Sequence, residues 1–300
     1  MRVDAIVVVN HRSHALLARN LVATTEGWDP ATLTVVVVDN SQDAAEATRV
    51  AALAAARGWA VVSMPNRGFG AGVDAGVAHA RAAGADAFLV LNPDLELGQD
   101  AARELLAAAR HNHRALVAPT LLREDGEVWF AGGALDLATG RTRTRPDLVG
   151  EPRWLTGACL AAHDELWRAV GGFSDAYFMY WEDIDLSARV REAGGRLCVR
   201  ADVVGVHAIG GTQQQAGTRR RSDLYYRHNC RGRMVFAARH LDRRAVRAWA
   251  WRSPGYARLV VLRGGKRQLL RSPGPLWAAV RGTCEGLWYA RRDRRESTAP

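Results

Sequence analysis

Cysteine is scarce in this chain of 300 residues: Cys159, Cys198, Cys230 and Cys284 lie far apart with no CxxC pair. That spacing offers neither a zinc knuckle nor a disulfide framework, and it fits a reducing cytoplasm. Long apolar runs are missing too. A membrane span needs about 18–20 consecutive apolar residues, and arginines interrupt every candidate in the second half. The opening, Met1-Arg2-Val3-Asp4 followed by Ala5–Val9, is too short an apolar run for a secretion signal and carries an acid, so it reads as a first strand. These absences predict a soluble or membrane-peripheral, cytoplasmic chain. There is no internal repeat and no low-complexity tract beyond an alanine bias, and lysine is nearly absent, Lys266 standing alone against 40 arginines.

With 48% apolar residues, the chain can bury the core of one large α/β domain, with or without an appendage. Its net charge of +10 is unevenly placed: residues 241–300 hold 14 Lys and Arg against 4 Asp and Glu, whereas residues 1–240 hold 27 of each. The expected organisation is therefore a neutral catalytic body, 1–240, and a basic helical tail, 241–300. Trp249, Trp251, Tyr256, Trp277, Trp288 and Tyr289 stand among the tail's arginines. Cations mixed with amphipathic aromatics suit an anionic membrane surface better than nucleic acid, and solvated helix faces are the plainer alternative.

β-Branched runs alternate with alanine-rich helical stretches through the first 120 residues, the rhythm of a mainly parallel sheet flanked by helices. Strands are expected at Asp4–Val9, Leu33–Val38, Ala60–Ser63, Ala87–Leu91 and Leu116–Ala118, and helices at Ser13–Thr25, Ala44–Arg57, Gly70–Ala83 and Asp100–Arg110. Beyond Thr120 the expected elements are a turn at Glu124-Asp125-Gly126, a polar loop over Leu137–Glu151 and an ordered stretch at Trp154–Ala162. Helices Asp164–Val170 and Glu182–Ala193 follow, then strands Arg196–Arg200 and Val203–His207, a loop at Ala208–Gly217 and a helical remainder from Ser222.

Several groups carry chemistry. Asn92-Pro93-Asp94 follows the strand ending at Leu91; in a parallel sheet ligands lie beyond the carboxyl ends of the strands, so Asp94 is placed to hold Mg²⁺ or Mn²⁺ with a diphosphate, or simply to close a turn. Asp39 occupies the equivalent place after the second strand, as a partner for a base or ribose edge or as a helix cap. Asn66-Arg67-Gly68-Phe69-Gly70-Ala71-Gly72 follows the third strand and opens a helix: its glycines permit close backbone approach and Arg67 suits phosphate. Its Gly70, Gly72 and Ala75 also match a dinucleotide spacing, but after the third strand rather than the first. Glu182-Asp183-Ile184-Asp185 follows the aromatic run Tyr177–Trp181; acids behind bulky apolar residues suit a general base of raised basicity, or they answer the helix dipole. His207 ends a short apolar strand as a packed residue or a metal ligand. Thr156-Gly157 in Trp154–Cys159 lets a substrate approach, or packs.

Taken in order, Val7–Asn10, Val38–Ser41, Asn66–Gly72, Leu91–Asp94, Thr156–Cys159, Gly171-Gly172-Phe173, Phe178–Leu186 and Val206-His207 resemble the family 2 glycosyltransferases of GT-A fold, and especially their bacterial rhamnosyltransferase-like branch. The resemblance spans about residues 3–240. It implies a nucleotide-binding α/β fold in which Asn10, Asp39, Asn66, Arg67, Gly68 and Asn92 face the nucleotide and Asp94 and His207 hold Mg²⁺ or Mn²⁺. It further implies that Asp183 is the catalytic base, that Glu182 orients acceptor or base, and that Trp181, Thr156 and Gly157 meet the acceptor. Three departures stand out: Asn92 replaces the first acid of a full DxD element, Ala208 stands where many relatives have a second histidine, and Asp74 stands where they often have asparagine.

The reaction implied is a single displacement with inversion, from a nucleotide-diphosphate sugar, dTDP-rhamnose first, to an acceptor hydroxyl on a lipid-linked saccharide. Natural-product glycosylation is the variant within the class. A dinucleotide-dependent oxidoreductase using Gly70, Gly72 and Ala75, and a nonenzymatic binding module driven by the basic tail, are the alternatives from other classes.

Overall fold

The structure, a computed structural model, describes residues 3–144, 151–207, 221–265, 268–269 and 272–296. The valine runs of β1 (Val3–Asn10) and β2 (Leu33–Asp39) are buried on both faces, which only a sheet covered by helices on each side can satisfy. With β3 (Ala60–Ser63) and β4 (Ala85–Leu91) they form a parallel block in the order β3-β2-β1-β4. The sheet continues through β10 (Cys159–His163), β6 (Ala115–Leu122), β11 (Arg196–His207) and β5 (Leu95–Leu97), and β7 (Val128–Phe130) pairs with β6. β10 runs antiparallel to both β4 and β6, whereas β11 runs parallel to β6 and antiparallel to β5. A separate hairpin pairs β8 (Gly133–Asp136) with β9 (Arg141–Thr144).

The helices start and stop where the side chains direct. Asp43 caps Ala44–Arg57 by accepting from the N–H groups of Ala45 and Glu46, and Gly58 ends it in the left-handed region. The glycines of Phe69–Ala82 serve packing: a Cβ at Gly72 would collide with Val9, and one at Gly76 with Val7 and Val38. Gly70 likewise faces Phe173. This removes the structural basis for a dinucleotide fingerprint there, because Gly72 brings the helix to the sheet and Gly70 brings it to Phe173, not backbone to pyrophosphate.

Some expectations need correction. The two strands expected over 196–207 are one, β11, whose register with β6 shifts between Arg200 and Val204. Part of the polar stretch expected as a loop over Leu137–Glu151 is strand, because Arg141–Thr144 pairs with β8. The loop expected at Ala208–Gly217 lies outside the described residues.

After the sheet the described residues include the helices Asp223–His240, Arg243–Trp251, Ser253–Leu262 and Gly274–Glu296. The last lies on Asp223–His240 at backbone distance, since a Cβ at Gly282 would collide with the Arg227 carbonyl and one at Gly286 with Met234 and the Arg231 carbonyl. Trp249 is fully buried, and its indole N–H donates to the Leu137 carbonyl at 2.7 Å. Arg233 lies between the Trp249 and Tyr256 rings, 4.7 Å from each centroid. It donates to the carbonyls of Trp249 and Thr139 and to the Ser253 hydroxyl. Burial pushes its pKa down to about 10, which still leaves it charged at neutral pH. Among the described residues no helix is long and apolar enough to cross a membrane.

Candidate active site

The site is assembled at one edge of the sheet. Asn10 and Asp39 end β1 and β2 in register, and Leu91 ends β4 beside Cys159, so Thr156-Gly157-Ala158 enters at the same edge. His207 closes β11 opposite Leu95, immediately after Asp94.

Asp39 is held rigidly. Its Oδ1 accepts from the Asn10 side-chain amide at 3.0 Å and from the Ser41 N–H at 3.2 Å, while Oδ2 accepts from the Ser41 hydroxyl at 3.1 Å. It borders a cavity of about 410 Å³ with Gln42, Ser63, Met64 and Pro65. Asn10, expected to face the nucleotide, is fully buried: its amide also donates to Glu46 Oε1, and its Oδ1 accepts from the Ser13 N–H. With its polar atoms engaged, its contribution is to orient Asp39. Asn66 folds back so that its Oδ1 accepts from the Gly68 N–H, and Arg67 points outward, 3.7 Å from Asp175. Gly68, at φ +102°, faces the Phe178 carbonyl where a Cβ would collide, and the Phe69 N–H donates to that carbonyl.

Asp94 and His207 meet, with Oδ1 to Nε2 at 3.3 Å. The imidazole stacks on Trp129, ring centroids 4.5 Å apart and planes at 9°. Neither of its buried ring nitrogens has an aligned hydrogen-bond partner among the described residues. A carboxylate beside an imidazole whose lone pair is unspent is a donor set that Mg²⁺ or Mn²⁺ accepts, so the residues fit the ion the resemblance implies. The backbone of Asn92 joins this corner to the next: its N–H donates to the Ala158 carbonyl at 2.9 Å.

One residue before Ala158, the Gly157 N–H donates to Asp183 Oδ2 at 3.1 Å, and the Ile184 N–H donates to Oδ1 at 2.8 Å. Ser187 adds a second clamp, accepting from the Leu155 N–H and donating to the Asp183 carbonyl. Burial pushes the Asp183 carboxyl up to about 6 against the pull of those two N–H groups. Its neighbour Glu182 goes further, to about 8, through burial and the charges of Asp183 and Asp185. Burial and mutual repulsion thus push both carboxyls above the ordinary carboxylate range, which favours a proton held by the pair.

Backbone strain aims this pair. Tyr180 (φ 64°) and Trp181 (φ 76°) both adopt left-handed conformations just before the helix Glu182–Glu192. Two such non-glycine residues cost on the order of 1–3 kcal/mol each, so surrounding packing must hold them. Trp181, expected to meet the acceptor, is buried against Phe236 and Trp249, so its ring braces this turn from behind rather than facing the cleft. Behind the turn, Asp185 is fully buried and accepts from Tyr177, Arg189, Arg239 and His240. Those partners hold its carboxyl down at about 2 despite burial.

Sequence reasoning missed Ser187, Trp129 and Glu46, and left Asp74 without a role. Asp74 borders a second cavity of about 570 Å³ with Arg67, Arg81 and Trp167, and accepts from the Trp167 indole N–H and the Phe173 N–H. Burial pushes its carboxyl up to about 6. Among the described residues, His113, His163 and Glu165 are the one trio with ligand atoms within 4.8 Å of one another. It lies at the opposite sheet edge, since His163 pairs with Ala87 near the start of β4. Its imidazoles are stacked 3.5 Å apart with planes at 2°, so their in-plane lone pairs do not converge on one ion.

The chain resembles known proteins in sequence and in fold. It is 33% identical over 131 residues to an N-acetylglucosaminyl-diphospho-decaprenol L-rhamnosyltransferase of Mycobacterium tuberculosis, covering 36% of this chain and 42% of that protein. It is 25% identical over 205 residues to Agl10, a low-salt glycan biosynthesis hexosyltransferase of Haloferax volcanii, covering 62% and 61%. The chain thus spans under half the length of the first relative and about three fifths of the second. Among solved structures, the mannosyltransferase PcManGT of Pyrobaculum calidifontis, in complex with GDP-Man and Mn²⁺, superposes with a TM-score of 0.56 at 15% identity, over 100% of this chain and 89% of that one. The fold is therefore of the GT-A type. The model of glycosyl transferase family 2 matches residues 5–183, from the first strand to Asp183 itself, and the chain belongs to that family.

Proposed function

We propose that this protein is an inverting glycosyltransferase that moves a hexosyl group, L-rhamnose from dTDP-rhamnose first, from a nucleotide diphosphate to an acceptor hydroxyl on a lipid-linked saccharide. The rhamnosyl donor and the lipid-linked acceptor are suggested by the name of the mycobacterial relative, and the hexosyl class by the haloarchaeal one. The observation that carries the reading is the Gly157–Asp183 hydrogen bond. It ties a carboxylate of raised basicity to the sheet edge where Asp94 and His207 meet.

In this mechanism the Asp39 cavity takes the nucleoside, with Asn66 next in the chain after Pro65 of its lining. A divalent cation bound between Asp94 and His207 would neutralise charge on the departing diphosphate. The acceptor approaches from the Thr156-Gly157 side. Its oxygen forms a bond to the anomeric carbon as the bond to the diphosphate oxygen on the opposite face breaks, and its proton passes to Asp183. The Gly157 and Ile184 N–H groups fix both Asp183 oxygens while leaving a lone pair on each for that proton. The raised basicity of Glu182 beside it lets the pair hold a proton, which lowers the cost of charge on Asp183 in a buried corner.

Asp183→Asn tests the assignment. The variant is expected to unfold at the wild-type temperature and to bind dTDP as well, yet to lose about 10²–10⁴-fold in sugar transfer. Wild-type turnover in that variant would remove Asp183 from the role.

A further inference from the structure

The helix Gly274–Glu296 is amphipathic in an inverted sense. On the side it turns to Asp223–His240, the small residues Ala278, Ala279, Gly282, Gly286 and Ala290 are buried, and Tyr289 packs under Arg231 beside them. The side it turns outward carries the bulk: Leu276, Trp277, Val280 and Trp288 are exposed, the two tryptophans at 71% and 60%. At 100° per residue these four fall within an arc of about 120°, and Arg281, Arg291 and Arg292 share or border it.

Packing fixes this orientation. Gly282 and Gly286 sit where any side chain would strike the backbone of Arg227 and Arg231, so the helix cannot roll its large residues inward. The charge of the outer face is equally one-sided. Between Leu276 and Arg292 the only acid is Glu285, and both its oxygens are taken by Arg227, with Arg281 sharing one. Arg292 lies over the Trp288 ring at 5.5 Å from its centroid, and Arg291 is exposed.

We infer that this outer face docks on an anionic phospholipid bilayer. The helix lies in the interface with Trp277 and Trp288 at headgroup level, Leu276 and Val280 toward the acyl chains, and the arginines on lipid phosphates. Indole rings favour that depth, and guanidinium groups pair with phosphate while their stems stay apolar. Uncovered bulky apolar residues beside an excess of arginines over acids match a surface that is apolar below and negative above. The inference stands on this helix alone and needs none of the transfer chemistry.

The test is co-sedimentation of the full chain with phosphatidylcholine vesicles containing or lacking phosphatidylglycerol, at low and high salt. Wild type is expected to bind the phosphatidylglycerol vesicles and to weaken as salt rises. The double variant Trp277→Ala, Trp288→Ala is expected to unfold at the wild-type temperature and to bind about tenfold or more weakly. Cys284 is exposed within the arc, so a solvent-sensitive dye on its thiol should shift its emission to the blue on anionic vesicles. No binding to phosphatidylglycerol vesicles at low salt, equal binding by the double variant, or an unshifted dye on bound protein would each overturn the inference. So would a wild-type dimer that ignores vesicles and that the double variant dissolves, because the face would then join two copies of the chain.

Discussion

At the scale of single residues, the site rests on two adjacent carboxyls that burial pushes upward. Asp183 at about 6 must be ionised to accept a proton, so transfer should rise with pH through about 6 and level off above it. A flat profile between pH 5 and 7, in single-turnover assays with dTDP-rhamnose, would contradict its role as base. Glu182 bears on stability instead. Its folded pKa of about 8 exceeds the ordinary 4.5, so between those values the folded chain keeps a proton that the unfolded chain releases. Its contribution is therefore full below about pH 4.5 and is lost as pH climbs through 8. Glu182→Gln should match wild type in melting temperature at acid pH and exceed it by a growing margin towards pH 9; a constant difference would refute the assignment. For the other corner, dTDP should raise the melting temperature more with Mn²⁺ than without, and Asp94→Asn or His207→Ala should abolish the increment. An increment that survives in both variants would leave the ion without these ligands.

At the scale of elements, the helix Glu182–Glu192 is anchored from behind by the knot at Asp185. Among the described residues, removing that carboxylate takes their one carboxylate partner from Arg189 and Arg239 and leaves His240 only Glu192, so Asp185→Ala should destabilise the fold by about 3–5 kcal/mol in denaturant titration. A loss within 1 kcal/mol or so of wild type would show the knot to be solvated. The same elements show what the sequence made legible. The runs Val35–Val38 and Phe88–Leu91 are apolar at every position, and the helix Ala44–Arg57 is bounded by Asp43 and Gly58, so local signals located the parallel block and its helices. β5 and β7 are three residues each, too short to display a period, and were not legible. Trp181, which the resemblance implies meets the acceptor, follows Tyr180 in the left-handed region and is buried against Phe236 and Trp249, partners more than 50 positions away that no local pattern announces. Asn10 is spent on Asp39 and Glu46, partners 29 and 36 positions away that no local pattern announces.

At the scale of the whole molecule, the helices beyond residue 240 are part of what holds the site. Trp249 packs against both Trp181 and Phe236, and Arg233 donates hydrogen bonds to Thr139 in the turn between β8 and β9 and to Trp249 in Arg243–Trp251. A chain ending at residue 240 would lose the Trp249 ring and expose what it covers. It should unfold at a lower temperature and turn over little sugar even with a water-soluble acceptor; full activity in that truncated chain would show the tail to be dispensable for catalysis.

The placement of β10 has a consequence for how the protein can be divided. Because that late strand slots between two early ones, β4 and β6, neither half of the polypeptide can complete the sheet alone. A single cut between Thr144 and Glu151 should therefore leave both fragments locked in one particle through gel filtration. Pieces made separately should find each other only by threading a strand into a gap, a slow second-order assembly.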